Sequence, residues 1–324
     1  MQAIRIEQTG GPEVLRLAEL DEPRPGPGEV LVRQTVAGIN YIDTAVRRGG
    51  LKRELPVVPG REGAGTVVAL GEGVRDLALG QRVGYSETPQ LGGYAEVNRV
   101  PVAEAVPLPD DVDDATGCAL MLQGLTAQYL CTSTYAVRSG DAVLVHAAAG
   151  GVGSLLVQMA KRRGARVIAT AGGPEKAALA RADGADEVID YRETDFAPEV
   201  MRLTGGAGVA AAYDAVGRET WERSMAVLRR RGMLVLYGTS SGPIPPLDVQ
   251  RLGTAGSIYV TRPTLTDYKR EREELLARAG DLFAAFRAGA LRVRIGARYP
   301  LREAAEAHRA LEARETTGKL LLDL

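Results

Sequence analysis

The 324-residue chain holds only two cysteines, Cys118 and Cys131, with two histidines, three phenylalanines and one tryptophan. So few cysteines exclude a disulfide scaffold; they read as small buried hydrophobes in a reduced compartment. No apolar run is long enough to span a bilayer, and the opening MQAIRIEQTGG lacks the apolar core of a secretory signal. A cytoplasmic protein with no membrane partner is therefore expected. Charge of one sign is lacking too: the net value is −1, and the basic residues are scattered. That leaves no electrostatic footprint for nucleic acid. With 45% hydrophobic residues, the chain can build two well-formed cores.

What is present changes character along the chain. MQAIRIEQ, EVLRLAEL and EVLVRQTVAGI, then GTVVALG, GQRVGY and YAEVNRV, read as short strands parted by turn-rich segments such as DEPRPGPGE. From about Pro109, helices alternate with apolar strands: VLV, the helix from Ser154 to Arg163, ARVIATA, the helix PEKAALARADG, EVID, VAAAYDAV, the helix TWERSMAVLRRRG and MLVLYG. Alternation of this kind implies a doubly wound parallel sheet, a Rossmann domain. GSIYVTR follows as a plausible edge strand, suited to pairing into a homodimer. TDYKREREELLARAGDLFAAFRAG reads as one long helix with Leu275, Leu276, Ala279, Leu282, Phe283 and Phe286 on its apolar face and KREREE on a solvated one. The final strand is expected to return to the N-terminal β domain.

The strand VLV runs into HAAAGGVG and then a helix, the layout that cradles a phosphate. Ala148, Gly150 and Gly153 occupy the three glycine positions of G-x-G-x-x-G, so the first is altered. After the second strand no acidic side chain stands where an NAD site needs one. Ala171, Gly172 and Gly173 lie there, with Lys176 one turn on and Tyr191 near the end of the next strand. A glycine backbone and a lysine would receive a 2′-phosphate, each charge-assisted bond being worth about 1.5–3 kcal/mol. The alternative is that Lys176 is an ordinary surface lysine.

AGINYIDTAVRRG, VVPGREGAGTVVALGEGV, LMLQGLTAQYL, VLVHAAAGGVG, DYRETDF, AAYDAVGRETWERSM and YVTRPTL together carry a resemblance that runs from end to end. The chain resembles the zinc-independent NADPH:quinone oxidoreductases, the zeta-crystallin-like group of the medium-chain dehydrogenase/reductase superfamily. The resemblance implies an α/β fold: a GroES-like, mainly β substrate domain over 1–123 and 264–324, and a Rossmann NADPH-binding domain over 124–263. It implies that Asn40, Tyr41 and Asp43 line the nicotinamide end of an active cleft, the catalytic positions. Thr126 and Tyr129, at the start of a linking helix, approach the nicotinamide ribose and carboxamide. Gly150, Gly151, Val152 and Gly153 contact the pyrophosphate, and Gly172, Lys176 and Tyr191 hold the 2′-phosphoadenosine. Ser240, Ser241, Thr261, Arg262 and Arg314 resemble further NADPH contacts. Blander alternatives stay open: Asn40 as a helix cap, Asp43 paired with Arg47, Arg314 in solvent.

Zinc relatives need cysteines and a histidine that this chain cannot supply for both a catalytic and a structural metal. Where they carry G-H-E, it has Gly60, Arg61 and Glu62. His146 reads as a satisfied buried histidine and His308 as part of a helix face. Without a Lewis acid, an acceptor that is already electrophilic is expected, and a quinone meets that requirement, whether by hydride or by single-electron transfer. Asn40 and Tyr41 are candidates to hydrogen-bond the developing oxyanion, with the proton coming from water. Ala45 stands where relatives have tyrosine, and GGLKRELP replaces a more aromatic mouth. The runner-up activity is reduction of an activated carbon–carbon double bond in an enal or enone. A noncatalytic NADPH-binding crystallin or RNA-binding role is the alternative from another class.

Overall fold

Short apolar runs separated by helices build the central part of the chain into six parallel strands. The computed structural model describes residues 1–324 and resolves two compact units, Met1–Leu125 with Lys269–Arg287 and Val293–Leu324, and Thr126–Tyr268 with Ala288–Arg292. In the second unit the strands lie in the order Glu187–Asp190, Arg166–Ala171, Ala142–Val145, Val209–Asp214, Leu228–Leu236 and Tyr259–Thr261. Numbered along the chain this is 3-2-1-4-5-6, the doubly wound Rossmann order. Every pairing is parallel, so each strand needs a crossover, and the helices supply them. Strand residues such as Leu144, Ile168, Ala212 and Leu234 are fully buried, because helices cover both faces.

The first unit is built on the long strand Glu29–Ile39. Its first half pairs with Val97–Pro101 and its last residues with Lys319–Asp323, both antiparallel, while Glu62–Leu70 runs along its other edge. Leu320 lies opposite Ile39 and Leu322 opposite Ala37, so the final strand does close the N-terminal sheet. Its apolar run is unbroken rather than alternating because both of its faces are buried. Beyond it, Ile295–Pro300 adds a parallel edge strand. The architecture is α/β, a mainly β unit and a Rossmann unit, the two kinds of domain that the resemblance implies.

Several local expectations are corrected. A helix, Phe196–Leu203, stands between the third and fourth strands of the parallel sheet, capped by the Asp195 side chain at the amide of Ala197. Pro198 hides it in the sequence, although proline in the first turn costs no hydrogen bond. The helix of TWERSMAVLRRRG ends at Ala226, and its arginines begin the strand Leu228–Leu236 instead. Polar residues suit that stretch because Arg229, Arg230 and Arg231 project into solvent before the strand enters the core. The long C-terminal helix is broken into Leu265–Tyr268 and Arg272–Arg287. Its charge run is a solvated face only in part: Arg270, Glu271 and Glu273 are exposed, but Lys269 is 2% exposed and ion-paired with Glu104, and Arg272 donates to the carbonyls of Val102 and Ala105. These cations satisfy groups of the β unit, and Leu276 on the same helix is exposed. Ala288–Arg292 rejoins the Rossmann unit because the Gln158 amide holds both the carbonyl and the N–H of Arg292, at 3.0 and 2.8 Å.

Candidate active site

The glycine loop leaves the carboxyl end of the first Rossmann strand, beside the point where strand order reverses. His146 anchors it. Thr170 donates to Nδ1 and Nε2 donates to Ser224, both at 2.9 Å. The direction follows from Ser224, whose hydroxyl is committed to the buried Asp214 carboxylate at 2.8 Å. Burial lowers the His146 pKa, so the ring stays neutral as a strut, as the sequence reading expected. With the strand end fixed, Ala147 accepts a left-handed φ of 52° and makes the turn that a glycine would otherwise make. A Cβ on Gly153 would lie 2.3 Å from the Ala147 carbonyl oxygen, so only glycine lets helix Gly151–Arg162 start this close. No side chain caps that helix, and its first-turn amides at Gly151, Val152 and Gly153 are open to an anion.

The next two strand ends meet over the adjacent glycines. A Cβ on Gly172 would sit 2.5 Å from the Tyr191 hydroxyl, and one on Gly173 would sit 1.5 Å from Nη2 of Arg192. Thus each glycine vacates the space that one side chain fills, and Lys176 follows one turn along helix Pro174–Ala182. Arg192 was missed in the sequence. The signal was its place beside Tyr191, but only the parallel pairing of Ile189 and Asp190 with Thr170 and Ala171 brings it over Gly173. The same pairing brings Asp190, an acid the sequence reading had not placed here. Its carboxylate accepts from the Arg192 amide at 3.1 Å and lies 3.5 Å from the Arg192 guanidinium, contacts that hold its pKa low.

Ser240, Ser241, Thr261 and Arg262 also lie at or beyond the carboxyl ends of parallel strands. The Ser241 hydroxyl is spent within the protein, donating to Val216 O and accepting from Glu219 N. Arg262 donates to Leu236 O at 3.0 Å. Thr126 and Tyr129 do not begin a linking helix, which is a correction. Helical structure starts at Asp114 and runs through π-type turns at Leu120–Gly124 and Leu130–Thr134, so both residues are mid-helix. Tyr129 is buried and stacks on Tyr268 with ring centroids 4.2 Å apart.

In the β unit, Asn40 caps helix Tyr41–Arg47 and is tied into a buried polar network. Its Nδ2 donates to Glu62 at 2.5 Å, while its Oδ1 accepts from Lys319 at 3.1 Å and Gln123 at 3.2 Å. Lys319, 1% exposed, forms an ion pair with Glu62, which is wholly buried and also accepts from the Leu122 amide. Tyr41 opens the helix and is half-buried. Asp43 is 1% exposed; its Oδ2 accepts from the Asn40 amide at 2.9 Å and the Tyr94 hydroxyl at 3.2 Å. It does not pair with Arg47, whose guanidinium instead meets Glu312 at 2.7 Å and His308 Nδ1 at 3.1 Å. Because Arg47 can only donate, His308 keeps its proton on Nε2 and gives it to Tyr94. His308 is therefore buried against the β unit and not merely on a helix face. Arg314 is exposed, in a left-handed turn with φ 59°.

The charges are set by burial. Asp43 is pushed up to about 6 by desolvation, against the pull of the Asn40 amide and Arg61. His308 is lowered to about 3 by desolvation and by Arg47. Burial also raises both cysteine thiols, Cys131 to about 12, which makes them inert hydrophobes. The glycine cradle, uncapped amides and paired cations fit a dinucleotide with a 2′-phosphate. Nowhere do three or more His, Cys, Asp or Glu side chains gather as a metal site.

Two family models match the chain: an alcohol dehydrogenase GroES-like domain over residues 26–110 and a zinc-binding dehydrogenase over 151–280. A quinone oxidoreductase from Pseudomonas aeruginosa is 44% identical over 98% of both chains. A 2-haloacrylate reductase from a Burkholderia species is 40% identical over 99% of this chain and 98% of its own. The structure of Escherichia coli quinone oxidoreductase complexed with NADPH superposes with a TM-score of 0.98 at 40% identity, covering 100% of each chain.

The two shifted groups predict a compensated pH profile. Asp43, raised in the folded state, contributes stability that is present below about pH 4 and is lost as pH rises through about 6. His308, lowered in the folded state, contributes stability that is present above about pH 6.5 and is lost as pH falls toward 3. Between about pH 4 and 6 the slopes oppose, and the wild-type urea midpoint stays nearly flat. Asp43→Asn leaves the histidine slope alone, so stability rises with pH across that window by on the order of 2 kcal/mol. An Asp43→Asn profile parallel to wild type contradicts this assignment.

Proposed function

We propose, from the premise that this chain belongs to the zinc-independent quinone oxidoreductases of the medium-chain dehydrogenase/reductase superfamily, that it reduces quinones with NADPH. The observation that carries the cofactor choice is the glycine pair at the end of the second parallel strand, overlain by Tyr191 and Arg192. An acid on that strand would repel a 2′-phosphate. Here the nearby acid, Asp190, is held by Arg192.

NADPH, when bound, supplies the hydride. The Rossmann unit holds it: the Gly151, Val152 and Gly153 amides bind the pyrophosphate beside Gly150, whose own amide donates to the Ala147 carbonyl, and Gly172, Lys176, Tyr191 and Arg192 bind the 2′-phosphate. Thr126, Tyr129, Ser240, Ser241, Thr261, Arg262 and Arg314 complete the cofactor contacts, Ser241 and Arg262 by fixing loop backbone. The GroES-like unit takes the acceptor. Asn40 keeps one Nδ2 hydrogen beyond its bond to Glu62, and with the Tyr41 hydroxyl it orients the quinone oxygen. Asp43 acts through Asn40, whose backbone amide it fixes. No Lewis acid is required, because a quinone is already electrophilic; water supplies the proton. Reduction of an activated double bond uses the same delivery, and the haloacrylate reductase relative supports it as the second reading.

The edge strand Tyr259–Thr261 pairs on one side only, and Tyr259 is 57% exposed, which supports a homodimer through that edge. Buried, unpaired Cys118 and Cys131 support a cytoplasmic location. Light scattering on protein from the cytoplasmic fraction is expected to give twice the 34.4 kDa chain mass; a monomer, or recovery only from another fraction, overturns these assignments.

Calorimetry tests the cofactor reading. Wild type binds NADPH about 100-fold more tightly than NADH, and Lys176→Ala and Arg192→Ala each lose about tenfold of that preference. NADH binding is unchanged in both. Equal affinity for the two nucleotides in the wild type defeats the reading.

A further inference from the structure

A cavity of about 340 Å³ opens at the carboxyl end of helix Tyr41–Arg47, the helix that Asn40 caps. Its apolar wall comes from Val46, Leu51 and Leu55, the two leucines being 37% and 40% exposed. Its polar wall is Thr9 with three cations, Arg48, Lys52 and Arg53, and no acidic side chain lines it. Glu312 neutralises Arg48 at 2.8 Å, a carboxylate that Arg48 shares with the buried Arg47. Lys52 and Arg53 are exposed and form no ion pair. Two unpaired cations at the rim of an apolar pocket are a cost unless something meets them, since like charges repel and raise the local potential. The volume is that of a small-molecule site, and its lining, mostly apolar with a few convergent charges, is what such sites use to orient a ligand.

We propose that this pocket binds an apolar body bearing one carboxylate or sulfonate, and that the acceptor this chain prefers is an anionic quinone. The inference rests on the quinone reductase reading. The helix joins the two places: seven residues at about 1.5 Å each put the pocket roughly 10 Å from Asn40. That is the span of a substituted polycyclic quinone whose carbonyl lies at the amino end and whose anionic arm lies at the carboxyl end. The Leu51 amide donates to the carbonyl of Ala45 in the same helix at 3.1 Å, so the loop carrying the cations is seated on the helix and not detached from it.

The test compares 9,10-phenanthrenequinone with its 2-carboxylate, with NADPH saturating, in wild type and in a Lys52→Glu/Arg53→Glu double variant. Both substitutions are at exposed positions outside the cofactor and acceptor-carbonyl contacts. In the double variant kcat/KM for the carboxylate falls about tenfold or more, through KM, while that for the neutral quinone and the Kd for NADPH stay unchanged. Raising ionic strength from about 0.05 to 0.3 M weakens the carboxylate selectively in wild type and not in the variant. An unchanged ratio of the two substrates in the variant overturns the proposal and leaves the reductase reading standing. Calorimetric titration with naphthalene-2-sulfonate in the presence of NADP⁺ decides the pocket independently of turnover: binding in wild type that is lost in the variant supports it, and equal or absent binding overturns it. Reduction of neither quinone overturns the reductase reading itself, and with it the acceptor class proposed here.

Discussion

The buried ion pair of Lys319 with Glu62 is the contact on which the β unit turns. It joins the start of the last strand, the start of Glu62–Leu70 and, through Asn40, the end of Glu29–Ile39. Removing one partner from such a pair costs about 3–5 kcal/mol, whereas a hydrophobic replacement of both is often tolerated. Stability alone therefore does not account for the pair. What it does, and an apolar pair would not, is fix both ends of the Asn40 amide: Lys319 and Gln123 on the oxygen, Glu62 on the nitrogen. One N–H remains, aimed by three neighbours. The second set, Asp43–Tyr94–His308–Arg47–Glu312, locks the helix that follows Asn40 and sets the protonation of its own members by burial.

The Rossmann unit solves a similar problem by a different route. Its glycine loop lacks the first glycine, yet it turns as tightly because His146 is strung between Thr170 and Ser224, with Asp214 behind. The left-handed Ala147 costs about 1–2 kcal/mol relative to glycine. The same Asp214 also receives the amides of Val216 and Gly217 and the Thr220 hydroxyl. One carboxylate thus supports the loops after both the first and the fourth strand, the pair that flank the switch point. A histidine, a serine and an aspartate in contact here make scaffolding and not a nucleophile, since all three are buried and mutually satisfied.

Periodicity revealed the parallel sheet, the glycine loop and the return of the last strand, because each depends on local pattern. What failed to show in the sequence depended on distant partners. Lys269 and Arg272 look like surface charge until the carbonyls and carboxylate they satisfy are seen, 165 or more positions away. Phe196–Leu203 was obscured by a proline that its first turn tolerates. The position of Asn40 was legible, but its restraint by Glu62, Gln123 and Lys319 was not, since these lie 22, 83 and 279 residues along the chain. Arg192 and Asp190 became visible only through strand pairing, which no local pattern encodes.

Hydride delivery from NADPH to a quinone by the protein's own hydrogen bonds, without zinc, can be tested in one assay. The most direct measurement follows quinone-dependent loss of nicotinamide absorbance by protein dialysed against a zinc chelator, with residual zinc quantified in the same sample. Turnover of 9,10-phenanthrenequinone with NADPH is expected to be unchanged by the treatment and to exceed turnover with NADH. Turnover that is lost on chelation and restored by zinc, or that runs faster with NADH, would contradict this expectation.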